Sequence, residues 1–438
     1  MPNNNSPVIR KTVHLVTGCM IIALSFVVER DNLLILFVAG ALFSFLTYNF
    51  RQFYALHKTS DSSLGTLFYP VGVISSFLIL YNQPPWYFRI TVMVLTFSDT
   101  AAYMAGQILR FNRSFKIPGE KKSWYGTIAF SVTTLIIFYF FLPPPMAGNL
   151  IFILLALVLS VNLEVISFRG SDNFTIPAGL SLFFVTYENY IIDPAFLLTG
   201  ILTLATGSFL LNRWNILSRA GSLSAYLLGV YFLIIPGFIW IIPVLLFFIS
   251  SVLFTNLNTR LTNKSRGLNR RNAWQVFANI IWALICSAIF LVTGNEVFIY
   301  FFIVLLAAVT ADTWASELGP VINKRSFSVA DFKMHPAGIT GGISLGGTTA
   351  ALVASVLISA TSFYLFFGEY QAVKITVLSV SGFLACFADT LLGAFAEKKF
   401  MKWRFLSQKG DRLAPNDLVN ILGSGTAPLF FLILTYLT

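Results

Sequence analysis

Three Asp-Thr pairs stand inside strongly apolar stretches of this sequence. They are Asp99-Thr100, Asp312-Thr313 and Asp389-Thr390, and none of the other seven Asp residues is followed by Thr. A further acid, Glu164, also lies in an apolar stretch. A charged side chain in hydrocarbon is costly and usually faces a bundle interior or a polar cavity. These carboxylates are therefore candidates for holding a divalent cation or accepting a proton.

Two of these acids belong to a longer repeated pattern. Residues 99 to 106 read DTAAYMAG and residues 312 to 319 read DTWASELG, which share D-T-x-A-x-x-x-G. Each copy is followed by a basic loop and then by S-x-x-G-T, at residues 123 to 127 and 344 to 348. On a helix, the Asp, Ala and Gly of each copy share one face, where small residues allow close helix approach or leave room for a ligand.

The repeat predicts two homologous halves, residues 1–211 and 212–438, that have the same orientation in the membrane. A lone intramembrane acid can also serve only as a hydrogen-bond partner of a neighbouring helix, and the repetition favours a ligand site over that role. Glu317 lies five residues after Asp312, which places it roughly 140° around a helix. The two acids are therefore not expected to share a ligand unless the helix breaks at Gly319-Pro320.

The elements that position these residues must be membrane helices. Of the 438 residues, 56% are hydrophobic and 11% are charged, where a soluble domain has about 25% charged residues. This composition excludes a soluble enzyme, a disordered regulator and a water-soluble binder of nucleic acid. The expected fold class is an all-α polytopic membrane protein.

The apolar runs predict about 15 membrane helices. They cover residues 13 to 28, 33 to 50, 67 to 81, 87 to 108, 125 to 142, 149 to 168, 176 to 192, 195 to 211, 221 to 235, 238 to 256, 274 to 293, 297 to 318, 342 to 367, 373 to 396 and 418 to 437.

The positions of Lys and Arg predict the orientation of these helices. With a cytoplasmic N-terminus, only Arg30, Arg89 and Lys374 of the 29 basic residues fall on the far side. We therefore expect the N-terminus inside and the C-terminus outside. The expected membrane is a bacterial inner membrane, with an organelle envelope as the alternative. The net charge of +11 then faces anionic lipid or a phosphorylated substrate rather than nucleic acid.

Carboxylates at the cytoplasmic edge of a membrane, beside Lys, Arg and a Gly-rich segment at residues 338 to 347, suit a nucleotide held with Mg²⁺. Phosphoryl transfer needs mainly positioning and charge stabilisation from the protein. A lipid alcohol would reach such a site from the bilayer, and the nucleotide would reach it from water. The usual signatures of a P-loop, a zincin and a nucleophile elbow do not occur.

Four motifs of the first half follow one another in the order of a known family. They are RKTVH, SDTAAYMAG, KKSWYGT and ExxSFRGSDNFTIP, at residues 10 to 14, 98 to 106, 121 to 127 and 164 to 177. This half resembles the dolichol kinase and phytol kinase family, with the CDP-diacylglycerol synthases as more distant relatives. The resemblance implies a membrane prenol kinase that uses CTP, or another nucleoside triphosphate, with Mg²⁺.

The second half has six motifs of its own. They are GSLSAYLLG, RRNAWQVFAN, TADTWASELG, GITGGISLGGT, FADTLLG and NDLVN, which start at residues 221, 270, 310, 338, 387 and 416. This half resembles the integral membrane family that includes plant phytyl-phosphate kinase. The resemblance implies phosphorylation of an isoprenoid monophosphate to the diphosphate.

Together the resemblances predict a fusion that phosphorylates a prenyl alcohol of the phytol or geranylgeraniol type twice. Asp99 and Asp312 are the expected catalytic residues. The expected metal ligands are Asp99, Glu164, Asp312 and Asp389. The residues expected to bind the nucleotide or its phosphates are Lys121, Lys122, Ser123, Gly126, Asp172, Asn173, Gly341, Gly342, Ser344, Asn416 and Asn420.

Three alternatives stay open at this point. A cytidylyltransferase related to CDP-diacylglycerol synthase would release pyrophosphate rather than CDP. A transporter of lipids or polar solutes would also bury acidic residues in a repeated bundle. The third alternative is that only one of the two halves is active.

Overall fold

A computed structural model describes residues 6–47, 65–108, 114–117, 120–167, 170–189, 194–262, 270–400 and 414–437. The described chain is mainly α-helical and forms two compact units, Met1–Thr199 and Gly200–Thr438. Nine helical stretches in these ranges are long and apolar enough to cross a membrane. The expected class, a helical multi-pass membrane protein, is confirmed.

The first unit begins with two helices joined by a two-residue connection and ends within a helix that continues into the second unit. Its elements are α1 (Ser6–Val27), α2 (Arg30–Thr47), α3 (Gly65–Ile79), α4 (Pro85–Met93), a π-helical segment (Val94–Ser98), α5 (Asp99–Ile108), β1 (Ser114–Ile117), β2 (Glu120–Ser123), α6 (Trp124–Phe141), α7 (Pro144–Ala147), α8 (Leu150–Ile166), α9 (Asp172–Asn189) and α10 (Pro194–Arg213).

The second unit contains the longest helices of the described chain. Its elements after α10 are α11 (Arg219–Ile234), α12 (Phe238–Leu261), α13 (Ala273–Thr293), α14 (Val297–Ile322), β3 (Arg325–Ser328), β4 (Met334–Pro336), β5 (Gly342–Ile343), α15 (Leu345–Phe367), α16 (Ala372–Phe400), α17 (Pro415–Ser424) and α18 (Ala427–Leu437).

Each of the fifteen predicted spans coincides with a helix or with consecutive helices. The sequence did not predict the two small sheets. β1 and β2 form an antiparallel pair, and β3 lies between β4 and β5 in a second antiparallel sheet. β1 to β4 fall in segments expected to be loops, where few residues alternate in polarity long enough to indicate a strand. β5 occupies the first two residues of the span predicted at 342 to 367, so the helix there begins only at Leu345. The fold is therefore helical with two short sheets rather than purely helical.

The predicted span at 87 to 108 is a helix with a π-helical segment, Val94–Ser98, directly before Asp99. The segment is packed tightly: Thr96 and Ser98 are buried, and Thr134 Oγ1 donates a hydrogen bond of 2.9 Å to Ser98 Oγ. Single π-helical turns are rare and occur frequently at functional sites. The wider turn changes the angular position of every later residue on this helix, and so it decides where Asp99 points.

The helices at the second sheet are bounded by recognisable capping residues. Ser344 is the N-cap of α15, and its Oγ accepts a hydrogen bond from the Gly347 amide at 3.1 Å. Asn272 and Gln275 form a capping box at the start of α13. The C-cap of the same helix is Gly294, whose backbone is in the left-handed conformation. These caps determine where α13 and α15 begin, next to the polar cavity described below.

Candidate functional site

The first unit encloses a cavity of about 850 Å³. It is lined by seven of the residues predicted to act in this half: Asp99, Lys122, Ser123, Gly126, Glu164, Asp172 and Asn173. They come from α5, β2, α6, α8 and α9, so the fold gathers five elements around one space. The side chain of the eighth predicted residue, Lys121, lies outside the described part of the chain.

Asp99 is the first residue of α5 and is buried, with 6% of its surface exposed. Its Oδ2 lies 2.5 Å from Lys11 Nζ and 3.6 Å from His14 Nε2. The same His14 nitrogen is 3.1 Å from the Leu95 carbonyl oxygen. The ammonium of Lys11 therefore compensates the charge of this carboxylate inside the protein.

Glu164, on α8, is also compensated by a lysine. Lys122 Nζ donates to Glu164 Oε1 at 2.5 Å and also to the Glu164 carbonyl oxygen. Thr127 Oγ1 donates to the other carboxylate oxygen at 3.4 Å. Both acids expected to bind metal in this half are thus held by ammonium groups in the structure.

Asp172 and Asn173 begin α9 at the edge of the same cavity. Asn173 Nδ2 donates to the carbonyl oxygens of Gly65 and Gly170, both at 3.2 Å. Asn173 Oδ1 is buried and has no hydrogen-bond partner among the described residues. An unsatisfied buried acceptor is costly, so this oxygen suits a hydroxyl or amino donor of a ligand.

The second unit encloses a smaller cavity of about 370 Å³. All seven residues predicted to act in this half line it: Asp312, Gly341, Gly342, Ser344, Asp389, Asn416 and Asn420. They come from α14, α16 and α17 and from the segment before α15. The lining is rich in glycine, hydroxyl and amide groups.

Asp312 and Asp389 both line this cavity. Their carboxyl groups lie within hydrogen-bonding reach. A Cβ added at Gly423 would meet Asp389 Oδ1 at 2.5 Å, so the backbone of α17 packs directly against this acid. Two carboxyl groups that meet must share a proton or a cation.

Glu317 also lines this cavity, and its carboxylate has hydrogen-bond partners of its own. Helix α14 continues through Pro320 to Ile322 without a break. The Glu317 carboxylate accepts from Thr255 Oγ1 at 2.6 Å and from Asn258 Nδ2 at 2.8 Å. The guanidinium of Arg271 is 3.7 Å away.

Arg271 also lines the second cavity and donates to Thr255 Oγ1 at 2.9 Å. Burial lowers the pKa of its guanidinium, and the neighbouring Glu317 carboxylate opposes that shift. Because an arginine stays protonated in proteins, this residue brings a positive charge to a cavity that otherwise carries acids.

The Gly-rich segment before α15 is held in a fixed shape. Gly341 has φ +73°, and a Cβ added there would meet Ala394 Cα at 2.9 Å. The Gly342 amide donates to the Ile339 carbonyl oxygen at 3.2 Å, and the Gly346 amide donates to Asn323 Oδ1 at 2.7 Å. These amides already have acceptors, so the Ser344 hydroxyl and the side-chain amides of the cavity are better placed to meet a phosphate.

The repeated sequence motifs make the same helix contact in both units. In the first, a Cβ added at Gly126 would meet the Ala102 carbonyl oxygen at 3.0 Å, and one added at Gly106 would lie 3.7 Å from Ser123 Cβ. In the second unit, the corresponding contacts are Gly347 to the Ala315 carbonyl oxygen at 3.2 Å and Gly319 to Ser344 Oγ at 3.2 Å. The small residues of the motif therefore allow close helix approach, which supports the predicted repeat.

Sequence reasoning assigned no site role to several residues that line the cavities. In the first unit they are Lys11, His14, Tyr69 and Tyr103, and in the second Arg271, Gln275 and Asn279. Asn279 Oδ1 accepts from Asn420 Nδ2 at 3.3 Å. A signal was present for two of them, since Gln275 and Asn279 are spaced by four on α13 and share one helical face.

The donor set fits a cation that keeps water and substrate oxygens as ligands. Among the described residues, no group of three or more His, Cys, Asp or Glu side chains is placed to hold a metal. Mg²⁺ is usually bound by one or two carboxylates together with phosphate oxygens and water. The Asp312 and Asp389 pair meets that requirement.

Comparison with known proteins gives the family. The model of the family described as integral membrane protein DUF92 matches residues 201–434. An uncharacterized membrane protein of Methanocaldococcus jannaschii is 29% identical over 46% of this chain and 84% of its own length.

Two named relatives match about half of the chain or slightly less. The chloroplastic protein VTE6 of Arabidopsis thaliana is 26% identical over 47% of this chain, which covers 61% of VTE6. A phytol kinase of a Synechocystis species is 28% identical over 40% of this chain and 77% of its own length. No solved structure matches the chain. The relatives support a phytol kinase-like membrane domain.

Proposed function

The chain belongs to the DUF92 family of integral membrane proteins, and from that premise we propose that it is a membrane isoprenoid kinase. The first unit phosphorylates a prenyl alcohol to the monophosphate, and the second converts the monophosphate to the diphosphate. CTP or another nucleoside triphosphate is the donor, with Mg²⁺. The observation that carries the proposal is that the residues of each predicted site with described side chains line one cavity in each unit.

In the first step the alcohol oxygen forms a bond to the γ-phosphorus of the nucleotide. The bond between that phosphorus and the β,γ-bridging oxygen breaks, and the nucleoside diphosphate leaves with the electron pair. The hydroxyl proton passes to the Asp99 carboxylate. Lys11 then no longer faces a charged carboxylate and meets the transferred phosphate, while Lys121 and Lys122 hold the phosphates of the donor.

In the second step an oxygen of the prenyl monophosphate forms the bond to the γ-phosphorus, and the same bridging bond breaks. Asp312 and Asp389 would hold Mg²⁺, which would supply positive charge to neutralise the phosphates. Asn416 and Asn420 orient the nucleotide by hydrogen bonds. Ser344, beside Gly341 and Gly342, donates to a phosphate oxygen.

The predicted fusion and membrane orientation belong to this proposal. Its two homologous halves carry consecutive reactions, with residues 1–211 for the alcohol and 212–438 for the monophosphate. Both cavities receive the nucleotide from the cytoplasmic side of a bacterial inner membrane, where the basic segments attract it.

Incubation of the purified chain with labelled CTP, Mg²⁺ and phytol or geranylgeraniol tests the proposal. We expect mass spectra to show the isoprenoid monophosphate and diphosphate, with CDP as the nucleotide product. Folded protein that labels no lipid with any nucleoside triphosphate would refute it.

The nucleotide product separates the enzymatic alternatives. Release of pyrophosphate and formation of a CDP-lipid would identify a cytidylyltransferase instead. Movement of a substrate across a vesicle membrane without nucleotide consumption would identify a transporter.

A further inference from the structure

The first cavity changes from charged to apolar along its length. One face of α1 follows the cavity for nearly the whole helix. Apart from Val13, its polar members come first and its apolar members come last: Arg10, Lys11, His14 and Thr17, then Met20, Ile21 and Leu24. At 1.5 Å per residue, the distance from Lys11 to Leu24 along the helix is about 20 Å.

Helix α2 lines the cavity with a mainly apolar face. Only two residues separate α1 and α2, so the helices form an antiparallel pair. The face of α2 on the cavity runs from Leu36 and Phe37 through Gly40 to Phe43 and Ser44. Ser44 Oγ donates to the Thr66 carbonyl oxygen at 2.8 Å. Because α2 runs back along α1, its first cavity residues, Leu36 and Phe37, come opposite the apolar end of α1.

We propose that the apolar part of this cavity, between α1, α2 and α3, binds the isoprenoid chain of the substrate, and that Gly40 sets how long a chain fits. This inference rests on the proposed function. A prenyl alcohol has one polar end and a long apolar chain, which matches a cavity with one charged end and one long apolar arm. The cavity volume also falls within the range of about 300–1,000 Å³ typical of ligand sites.

Gly40 is the position where the arm can be narrowed without disturbing the protein. It lines the cavity about 6 Å along α2 from Ser44. A Cβ added there meets no other atom within 4 Å. A larger side chain at residue 40 is therefore expected to occupy the arm rather than displace its walls. Replacing a helical glycine also favours the helix.

Gly207 offers a matched control. It lies within α10, and a Cβ added there also meets nothing within 4 Å. It lines neither described cavity. Gly40→Phe and Gly207→Phe thus make the same chemical change on a helix, one inside the arm and one away from it.

The experiment measures phosphorylation of geraniol, farnesol and geranylgeraniol, whose chains grow by one isoprene unit at a time. Full-length protein is purified as wild type, Gly40→Ala, Gly40→Val, Gly40→Phe and Gly207→Phe, and lipid products are quantified by mass spectrometry. For Gly40→Phe we expect the ratio of geranylgeraniol to geraniol turnover to fall by about tenfold or more. The two smaller substitutions should give intermediate ratios, and Gly207→Phe should keep the wild-type ratio.

Two results would overturn the inference while leaving the proposed function intact. One is an unchanged ratio across the Gly40 series in an active enzyme. The other is an equal loss of all three alcohols already in Gly40→Ala or Gly40→Val. Wild-type protein that phosphorylates none of the alcohols would instead refute the proposed function itself.

Discussion

The two cavities share a helix contact but differ in how their acids are compensated. In both units the Gly of the S-x-x-G-T motif packs on the backbone carbonyl of the Ala three residues after the repeated Asp. In the first unit that Asp contacts the ammonium of Lys11. In the second, it contacts the carboxyl group of Asp389. One packing arrangement therefore supports two different charge environments.

The difference suggests two ways to prepare for phosphoryl transfer. In the first unit the lysines already compensate the acids, and the cavity continues into an apolar arm that suits an uncharged alcohol. In the second unit the paired carboxyl groups suit a cation, and the cavity is small and polar. That arrangement fits a reaction in which donor and acceptor both carry phosphate, because more negative charge must be neutralised there.

Asparagine substitutions of the repeated acids should separate the two reactions with the largest effect. We expect Asp99→Asn to lower turnover of the alcohol about 100- to 1,000-fold, and Asp312→Asn to lower turnover of the monophosphate by a similar factor. Asp99→Asn protein given monophosphate should still form the diphosphate, and Asp312→Asn protein should accumulate monophosphate. Mass spectra of the lipid products check this. If both variants stall at the alcohol, the division of labour between the units is wrong.

Replacement of Lys122 should show that its ion pair with Glu164 stabilises the fold. Lys122→Met leaves the buried Glu164 carboxylate without its ammonium partner, so we expect the free energy of unfolding to fall by about 3–5 kcal/mol. Thermal unfolding of the purified protein in detergent measures this.

The control for this loss is Lys374→Met, since Lys374 is exposed, and it should leave the unfolding temperature nearly unchanged. The double variant with Glu164→Gln should recover part of the stability, because no charge is then left buried. Equal destabilisation by the two lysine variants would contradict the role of this ion pair.

Arg271→Gln tests the positive charge of the second cavity. We expect the KM for the prenyl monophosphate to rise about tenfold, since a charge-assisted hydrogen bond to phosphate is lost. Turnover of the alcohol in the first unit should not change. Steady-state kinetics with each substrate separately provide the measurement. Arg271→Lys keeps the charge and should lie between wild type and Arg271→Gln, whereas equal effects on both reactions would indicate a folding defect.

Two glycine substitutions should give the smallest effects, with opposite signs in the two cavities. An alanine at residue 341 must adopt a positive φ and place its Cβ 2.9 Å from Ala394 Cα. We therefore expect Gly341→Ala to lower the free energy of unfolding by about 1–2 kcal/mol or more. Gly106→Ala places its Cβ at an ordinary 3.7 Å from Ser123 Cβ within a helix, so it should stabilise by about 0.5–1 kcal/mol. Denaturant unfolding of both variants distinguishes these outcomes, and a stabilised Gly341→Ala would show that the glycine segment is not held as described.

Much of the fold was predictable because hydrophobic length is a local property. All fifteen apolar runs became helices, and the membrane class is confirmed. The repeat of D-T-x-A-x-x-x-G with S-x-x-G-T was also visible as letters. The sequence also predicted that the helices carrying this repeat would pack closely, because small residues at helical spacing favour close helix approach. The two short sheets were missed, since β1 to β4 occur in segments whose composition resembles loops and β5 occupies the start of a predicted span.

The sequence predicted most of the residues that line the two sites, but it did not predict which charged groups pair with their acids. Intramembrane acids are rare and stand out from an apolar background. Lys11 and Arg271 carry no such signal, because basic residues at the ends of spans are usually explained by membrane topology. The distance in sequence from Lys11 to Asp99 also left that pairing invisible.

The amino-acid sequence by itself determined the membrane class, the positions of the helices and the identity of most polar residues around each cavity. Those features depend on the composition of short segments and on helical periodicity. Only the tertiary structure decided that Asp99 meets a lysine whereas Asp312 meets another acid, and that the first cavity extends into an apolar arm. Such pairings depend on which helices pack together and on the π-helical turn before Asp99, which are properties of distant segments in space.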